Sequence, residues 1–231
     1  MDALRRIARG TGIAYLALAV TGMLGFLIIR PRLFVPEDPA VTLANLQAGD
    51  TLARWGIALE LGVVLTQALA AVGFFRLFRT VNATAAGAVA AFGLVNSAAV
   101  LGSAAMLAAA RSVAAAPAGV ADPAGLVQAL YRVSDGFWAG GNLFFGLWLI
   151  PMGYLVVTSG WMPRLLGQVL VVGGVGYTLS GFVLVLVPAA PGWLEQVLVA
   201  PATVGELWMV GYLLVRGIRR TVTMPRVPVA A

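Results

Sequence analysis

Two glutamates stand inside stretches of sequence that are otherwise apolar, Glu60 between Leu59 and Leu61 and Glu206 between Gly205 and Leu207. A carboxyl group in such a setting can hold a proton, anchor a polar ligand or hydrogen-bond to a neighbouring helix. On insertion scales an ionised side chain at a bilayer centre costs roughly 2.5–3.5 kcal/mol, so two of them rival the ~5–15 kcal/mol of a typical folded state. Each must therefore be protonated, paired or wetted. The same stretches hold the amides Asn96, Asn142 and Gln67, with Arg54 and Asp135 at their edges. Arg54 precedes Glu60 by six residues, about 240° of helical rotation, so the two do not share a face. Arg54 is expected to reach an acid on another helix, or Glu60 itself, with Glu206 and Asp135 in range. Counted along the helices, Arg54 and Asp135 lie at the outer edge, Glu60 and Asn142 about 8–12 Å further in, and Asn96 and Glu206 near the middle. The candidate ligand or proton site is Glu206, Glu60, Arg54, Asn96, Asn142 and Asp135, read as ringing a cavity open to the outer side. Pro201, five residues before Glu206, removes a backbone hydrogen bond and is expected to kink its helix, as is Pro151.

What is missing narrows the chemistry further. The chain has no Cys and no His, and all 15 of its basic residues are Arg. Haem with His or Cys ligation, Cys/His zinc sites, thiol–disulfide relays, Ser-His-Asp triads and Lys Schiff bases are excluded. Two carboxylates could in principle perform acid–base chemistry, but no nucleophile or metal set accompanies them. No catalytic residue, metal site or cofactor is assigned. The net charge of +6 does not indicate nucleic acid, because the arginines sit at helix ends without interleaved aromatics.

The elements that position these residues follow from hydropathy. A crossing of the ~30 Å hydrocarbon core needs roughly 20 apolar residues, and six runs qualify, at 11–29, 52–75, 83–110, 137–157, 165–187 and 196–215. The fold class is all-α: a polytopic membrane protein, a six-helix transmembrane bundle with short extracytoplasmic helices. Residues 1–218 form one domain and 219–231 a basic, disordered cytoplasmic tail. Arg5, Arg6, Arg9, Arg76, Arg79, Arg164, Arg216, Arg219, Arg220 and Arg226 fall on one side; Arg30, Arg32, Arg54, Arg111 and Arg132 fall on the other. The positive-inside rule makes the first side cytoplasmic, with both termini there and segments 31–50 and 112–134 outside. The expected location is the plasma membrane. The first run continues well past Ala17-Leu18-Ala19 and is too long for a signal h-region, so it reads as an uncleaved helix.

Asp38-Pro39, Asp50-Thr51 and Asp122-Pro123 are helix-start signals, each with a capping carboxylate before a helix-tolerant residue. Residues 39–48 read as a short helix ended by Gly49. A helix from Pro123 to Thr158 would be about 54 Å long, so it must break or protrude, with Asp135-Gly136 and Gly140-Gly141 as the break points. The inner loops 76–82 and 159–164 are short, and Pro163 suits the first turn of the next helix after a stop at Gly160. Gly173-Gly174-Val175-Gly176 lacks the strand and spacing of a dinucleotide fingerprint. It reads as a close-packing surface together with Thr178 and Ser180.

The stretch from Gly146 to Tyr177 carries Gly153-Tyr154-Leu155, then Ser159-Gly160, then Pro163-Arg164-Leu165-Leu166-Gly167, then a Gly-rich helix ending in Gly176-Tyr177. This pattern resembles the bacterial membrane family catalogued as domain of unknown function 4386. Other pieces match its N-terminal and C-terminal patterns: Pro36 to Asp38, Ala44-Asn45, Arg54 with Glu60, and Gly205-Glu206. The resemblance covers nearly the whole chain and implies a fold, not a function. Many members of that family carry a His shortly before the segment equivalent to Phe144-Phe145-Gly146, and this chain departs from them in having none.

Two readings stay open on the residues alone. In the first, the chain is a small binding or transport protein whose outward-facing, polar-lined cavity takes an apolar or amphipathic, lipid-like ligand. In the second it is an accessory or scaffold membrane protein whose buried polar groups only hold the bundle. The expected partners are the lipid bilayer, that ligand and further copies of the chain, with no nucleic acid.

Overall fold

An apolar stretch in a membrane can close its backbone hydrogen bonds without water by forming a helix. In the computed structural model, which describes residues 2–187, 189 and 191–219, every regular element among those residues is helical. In order these are α1 (Asp2–Gly22), a π-helical segment (Met23–Ile29), α2 (Arg30–Leu33), α3 (Pro39–Ala48), α4 (Asp50–Phe78), α5 (Ala83–Ala115), α6 (Pro123–Ser159), α7 (Arg164–Leu186) and α8 (Gly192–Val215). Six helical runs are long and apolar enough to cross a membrane, the first continuous from Ala3 to Leu33 through α1, the π segment and α2. The chain is a multi-pass membrane protein. Its outer face agrees: Leu65 and Val172 are 61% and 60% exposed, and Leu186 and Val215 are 74% and 73% exposed, an apolar surface too extensive for water.

Consecutive crossing helices pack as antiparallel neighbours, and α1 contacts both α4 and α8, closing the ring. Tyr15, Phe74 and Trp148 meet edge to face at its centre, with Tyr15 5.4 Å from each of the other two rings. Both ends of the described chain lie at one end of the bundle, where Arg5 and Arg9 of α1 face Arg216 and Arg219 beyond α8. We call this the terminal end and the other the distal end. The expected tail lies almost wholly in 220–231, outside the described residues.

Two of the three expected caps form. Asp38 accepts a hydrogen bond from the Val41 N–H at 3.0 Å, and Asp122 from the Gly125 N–H at 2.8 Å. Asp50 does not cap. Gly49 ends α3 and is also the N-cap of α4, so Asp50 is already helical, and its carboxylate pairs instead with Arg54 at 2.8 Å and Arg111 at 2.6 Å. Pro163 is likewise displaced by one position, serving as N-cap of α7 rather than first-turn residue. Gly160, at φ +66°, stops α6 as expected.

Helix α6 runs unbroken for 37 residues, about 55 Å, past both expected break points. A glycine costs a helix only about 1 kcal/mol, whereas a break inside the apolar region would strand backbone polar groups at several kcal/mol each. The surplus length protrudes at the distal end. There α3 lies across α5 and α6, and Leu33, Leu46, Leu107, Val127 and Tyr131 form a second small core. Gln128 donates to the carbonyls of Val35 and Pro36 at 3.1 and 2.7 Å, and Asn45 to that of Leu33 at 3.4 Å. The helical run also continues through Pro151 and Pro201, so neither proline ends its helix.

The glycine-rich stretch is a packing surface. A Cβ on Gly174 would stand 2.8 Å from the Gly146 carbonyl oxygen, and one on Gly167 2.6 Å from that of Gly153. On the other flank a Cβ on Gly173 would stand 2.5 Å from Ala202 Cα. Helices α6, α7 and α8 thus touch backbone to backbone. At the terminal end of the α1–α8 seam Gly12 packs on Leu213 and Leu214.

Candidate functional site

Along α1 the buried residues Ala8, Thr11, Tyr15 and Leu18 recur at steps of three and four, the spacing of one α-helical face. From buried Gly25 the next step is five, to Arg30. The π segment supplies the extra residue: the Arg30 N–H bonds to the Gly25 carbonyl, five residues back. Pro31 explains its position, since a proline has no N–H to donate and its ring crowds the carbonyl four residues earlier. The wide turn rotates Arg30 onto the bundle face, where it is 8% exposed.

There Arg30 meets two carboxylates, Asp135 at 2.6 Å and Glu60 at 3.5 Å. It also donates to Ser134 Oγ at 3.1 Å and to the Tyr131 carbonyl at 3.3 Å, and its guanidinium lies 5.5 Å from the ring centres of Phe26 and Tyr131. Glu60 Oε1 accepts a second bond, from Trp138 Nε1 at 3.1 Å. Ser134 and Ser103 hydrogen-bond at 2.7 Å. The space beside Arg30 and Glu60 is about 10 Å³, room for roughly one water and no larger ligand. The cluster locks α2, α4, α5 and α6 together. Arg54, the expected counter-charge, is elsewhere: its side chain is 65% exposed and paired with Asp50 one turn back. Arg30 is the cation of Glu60, because only the π segment brings a guanidinium to the inner face at that depth.

The other candidates do not converge. Asn96 donates to Gln67 Oε1 at 2.9 Å, joining α5 to α4, and Asn142 accepts from the Tyr177 hydroxyl at 3.4 Å, joining α6 to α7. Glu206 accepts from the Tyr15 hydroxyl at 2.5 Å, across the α1–α8 seam. The six candidates therefore occupy five places, Glu60 and Asp135 sharing one, and the expected ring of Glu60, Asn96 and Asn142 around Glu206 does not form. The residues are held apart by being on different faces of different helices.

Glu206 does line a cavity. Beyond the close contact at Gly12, α1 and α8 leave a cleft of about 470 Å³ walled by Tyr15, Leu18, Ala19, Gly22, Met23, Leu27, Val63, Trp138, Phe145, Thr203, Glu206, Leu207 and Val210. From Tyr15 to Leu27 it extends about 18 Å along the first crossing helix. Among the described residues Glu206 is its one carboxylate, with Thr203 and the Tyr15 hydroxyl near it in a largely apolar wall. Met23, Leu27 and Leu207 are 57%, 62% and 60% exposed, so the rim is continuous with the lipid-facing belt and the cleft opens sideways. Trp138 belongs to both places, its indole N–H on Glu60 and its ring in the cleft wall.

Sequence reasoning missed Arg30, Tyr15 and Trp138. Arg30 follows an apolar run and precedes a proline, which marks a helix disturbed at that residue, but the direction in which it turns is a matter of π geometry. Tyr15 and Trp138 look like ordinary members of apolar stretches.

No curated protein and no solved structure matches the chain. The model of one family, described as Domain of unknown function (DUF4386), matches residues 11–217. That match takes in the α1 face with Tyr15, the Arg30–Glu60 cluster, the glycine seams and the Glu206 cleft, and the chain belongs to this family.

Proposed function

We propose that this protein binds an amphipathic lipid-like molecule with a single apolar chain in the α1–α8 cleft, with Glu206 and Tyr15 holding its polar end. The observation that carries this reading is the cleft itself: about 470 Å³, apolar along its length, open through an exposed apolar rim and ending on one carboxyl group. Such a volume lies within the ~300–1,000 Å³ of ligand sites, and a few placed polar groups in an apolar wall are what fixes a ligand's orientation. Entry is from the bilayer rather than from an outer aqueous vestibule. The protein is read as lying in the plasma membrane with the terminal end cytoplasmic, on the asymmetry of arginine.

The test is the lipid extracted from purified protein. Ala19→Trp fills the cleft and should abolish retention of a co-purifying amphiphile, while Leu65→Trp, on the exposed belt of α4, should leave it unchanged. Equal retention in both variants would remove the reading. The scaffold alternative has one observation in its favour, that Tyr15 already satisfies Glu206, and it predicts that result. For orientation, the absence of native Cys lets single cysteines be placed at Ala83 and Ala118, both exposed. An impermeant thiol reagent on intact cells should label only the second; labelling at the first would reverse the topology.

A further inference from the structure

A second cavity, of about 600 Å³, lies at the terminal end on the opposite face of α8 from the cleft. The cleft uses Thr203, Glu206, Leu207 and Val210, whereas this cavity uses Trp208, Tyr212, Val215 and Arg216, positions on roughly opposite sides at 100° per residue. Four arginines converge on it: Arg5 and Arg9 from α1, Arg216 and Arg219 from the end of α8. The backbone builds this convergence. Gly217, at φ +67°, ends α8 and reverses the chain, burying Ile218 and letting the Arg219 N–H bond to the Trp161 carbonyl at 2.9 Å. Arg219 Nε then donates to the Tyr212 hydroxyl at 3.0 Å. Among the described side chains no carboxylate pairs with any of the four, although Arg30, Arg54 and Arg111 all have acidic partners, and Arg5 Nε is buried without a hydrogen-bond partner.

Four guanidinium groups that no described carboxylate pairs repel one another, and an anion with several acceptor oxygens relieves that repulsion while matching the fork of each arginine. The rest of the wall is amphipathic, with Trp208 and Tyr212 beside Val215 and Ile218, the side-chain chemistry of a membrane–water boundary. We infer that this cavity binds the phosphate headgroup of an anionic phospholipid from the adjoining leaflet.

The test uses the purified full chain in a neutral detergent, titrated with phosphatidylglycerol, phosphatidylcholine or inorganic phosphate and followed by thermal midpoint. Phosphatidylglycerol should raise the midpoint and phosphatidylcholine should not. In Arg9→Gln/Arg216→Gln the apparent affinity for phosphatidylglycerol should fall by about thirtyfold, from the loss of two cationic contacts. Arg9→Lys/Arg216→Lys should keep most of it, which guards against a Gln variant that fails to fold. Arg76→Gln/Arg79→Gln, exposed arginines elsewhere at the same end, should bind as the unaltered chain does. Equal shifts with both lipids, an unchanged affinity in the Arg9/Arg216 Gln variant, or an equal loss in the Arg76/Arg79 control would overturn the site. A full shift from inorganic phosphate alone would overturn its assignment to a lipid.

Discussion

Glu60 is met by a guanidinium, an indole N–H and a space of about 10 Å³; Glu206 is met by one phenol and a cleft of about 470 Å³. Both carboxyl groups sit within the crossing helices of one small bundle, yet the first is enclosed by its partners and the second keeps a face toward an opening. The packing around each explains this. At the distal end, α3 and the protruding part of α6 close over the cluster, and Arg30 is turned inward by the π segment. Along the distal half of the α1–α8 seam nothing equivalent covers Glu206, which lies beside the cleft and bonds across the seam to Tyr15. A buried carboxyl beside a buried guanidinium behaves as a structural lock, while a carboxyl with a neutral partner on a cleft is what the proposed binding reading rests on.

The comparison can be broken most directly at Arg30. Arg30→Met leaves Glu60 buried without its cation and should cost about 3–5 kcal/mol, whereas Arg30→Met with Glu60→Met should recover much of the loss. Thermal melting in detergent checks both, and a single variant as stable as the parent would end the description of this cluster as a lock. Trp138 sharpens the contrast because it serves both regions. Trp138→Phe keeps a ring in the cleft wall but removes the bond to Glu60, and should cost about 1.5–3 kcal/mol in stability with lipid retention largely kept. Glu206→Gln should separate the two carboxyl groups in the opposite sense. Tyr15 can still donate to the amide oxygen, so stability should change by about 1 kcal/mol or less, and the loss should appear in retention of the amphiphile. If retention is unchanged, the cleft has no polar anchor. The smallest effect belongs to Arg54→Ala. An exposed pair one helical turn apart contributes about 0.3–0.5 kcal/mol, and Arg111 still holds Asp50, so its melting temperature should stay near that of the parent.

Much of the frame was legible in order along the chain. The six runs, the short helix from Pro39 to Ala48, the caps at Asp38 and Asp122, the stop at Gly160 and the packing role of the Gly173–Gly176 stretch all rest on hydropathy or on contacts within a few residues or between neighbouring helices. Asp50 was misread because the preceding helix ended at Gly49 and used the capping position. Of the two expectations for α6, to break or to protrude, the second holds, because α3 covers the surplus length and the glycine pairs cost too little to end the helix. The grouping of the polar residues was not legible, since depth along a helix says nothing about the direction in which a side chain points.

By itself the sequence determined that this chain crosses a membrane six times as helices, which stretch each crossing falls in, and that its few intramembrane carboxyl groups must be protonated, paired or wetted. Those outcomes depend on local composition and on the cost of an unpaired backbone group in lipid. Only the tertiary structure decided that Arg30 rather than Arg54 meets Glu60, that Glu206 faces a lateral cleft, and that four arginines from opposite ends of the chain converge. Each of these depends on the phase of one helix against another, and a single π segment, or a seam that leaves a cleft beside it, changes that phase without leaving a comparable mark on hydropathy.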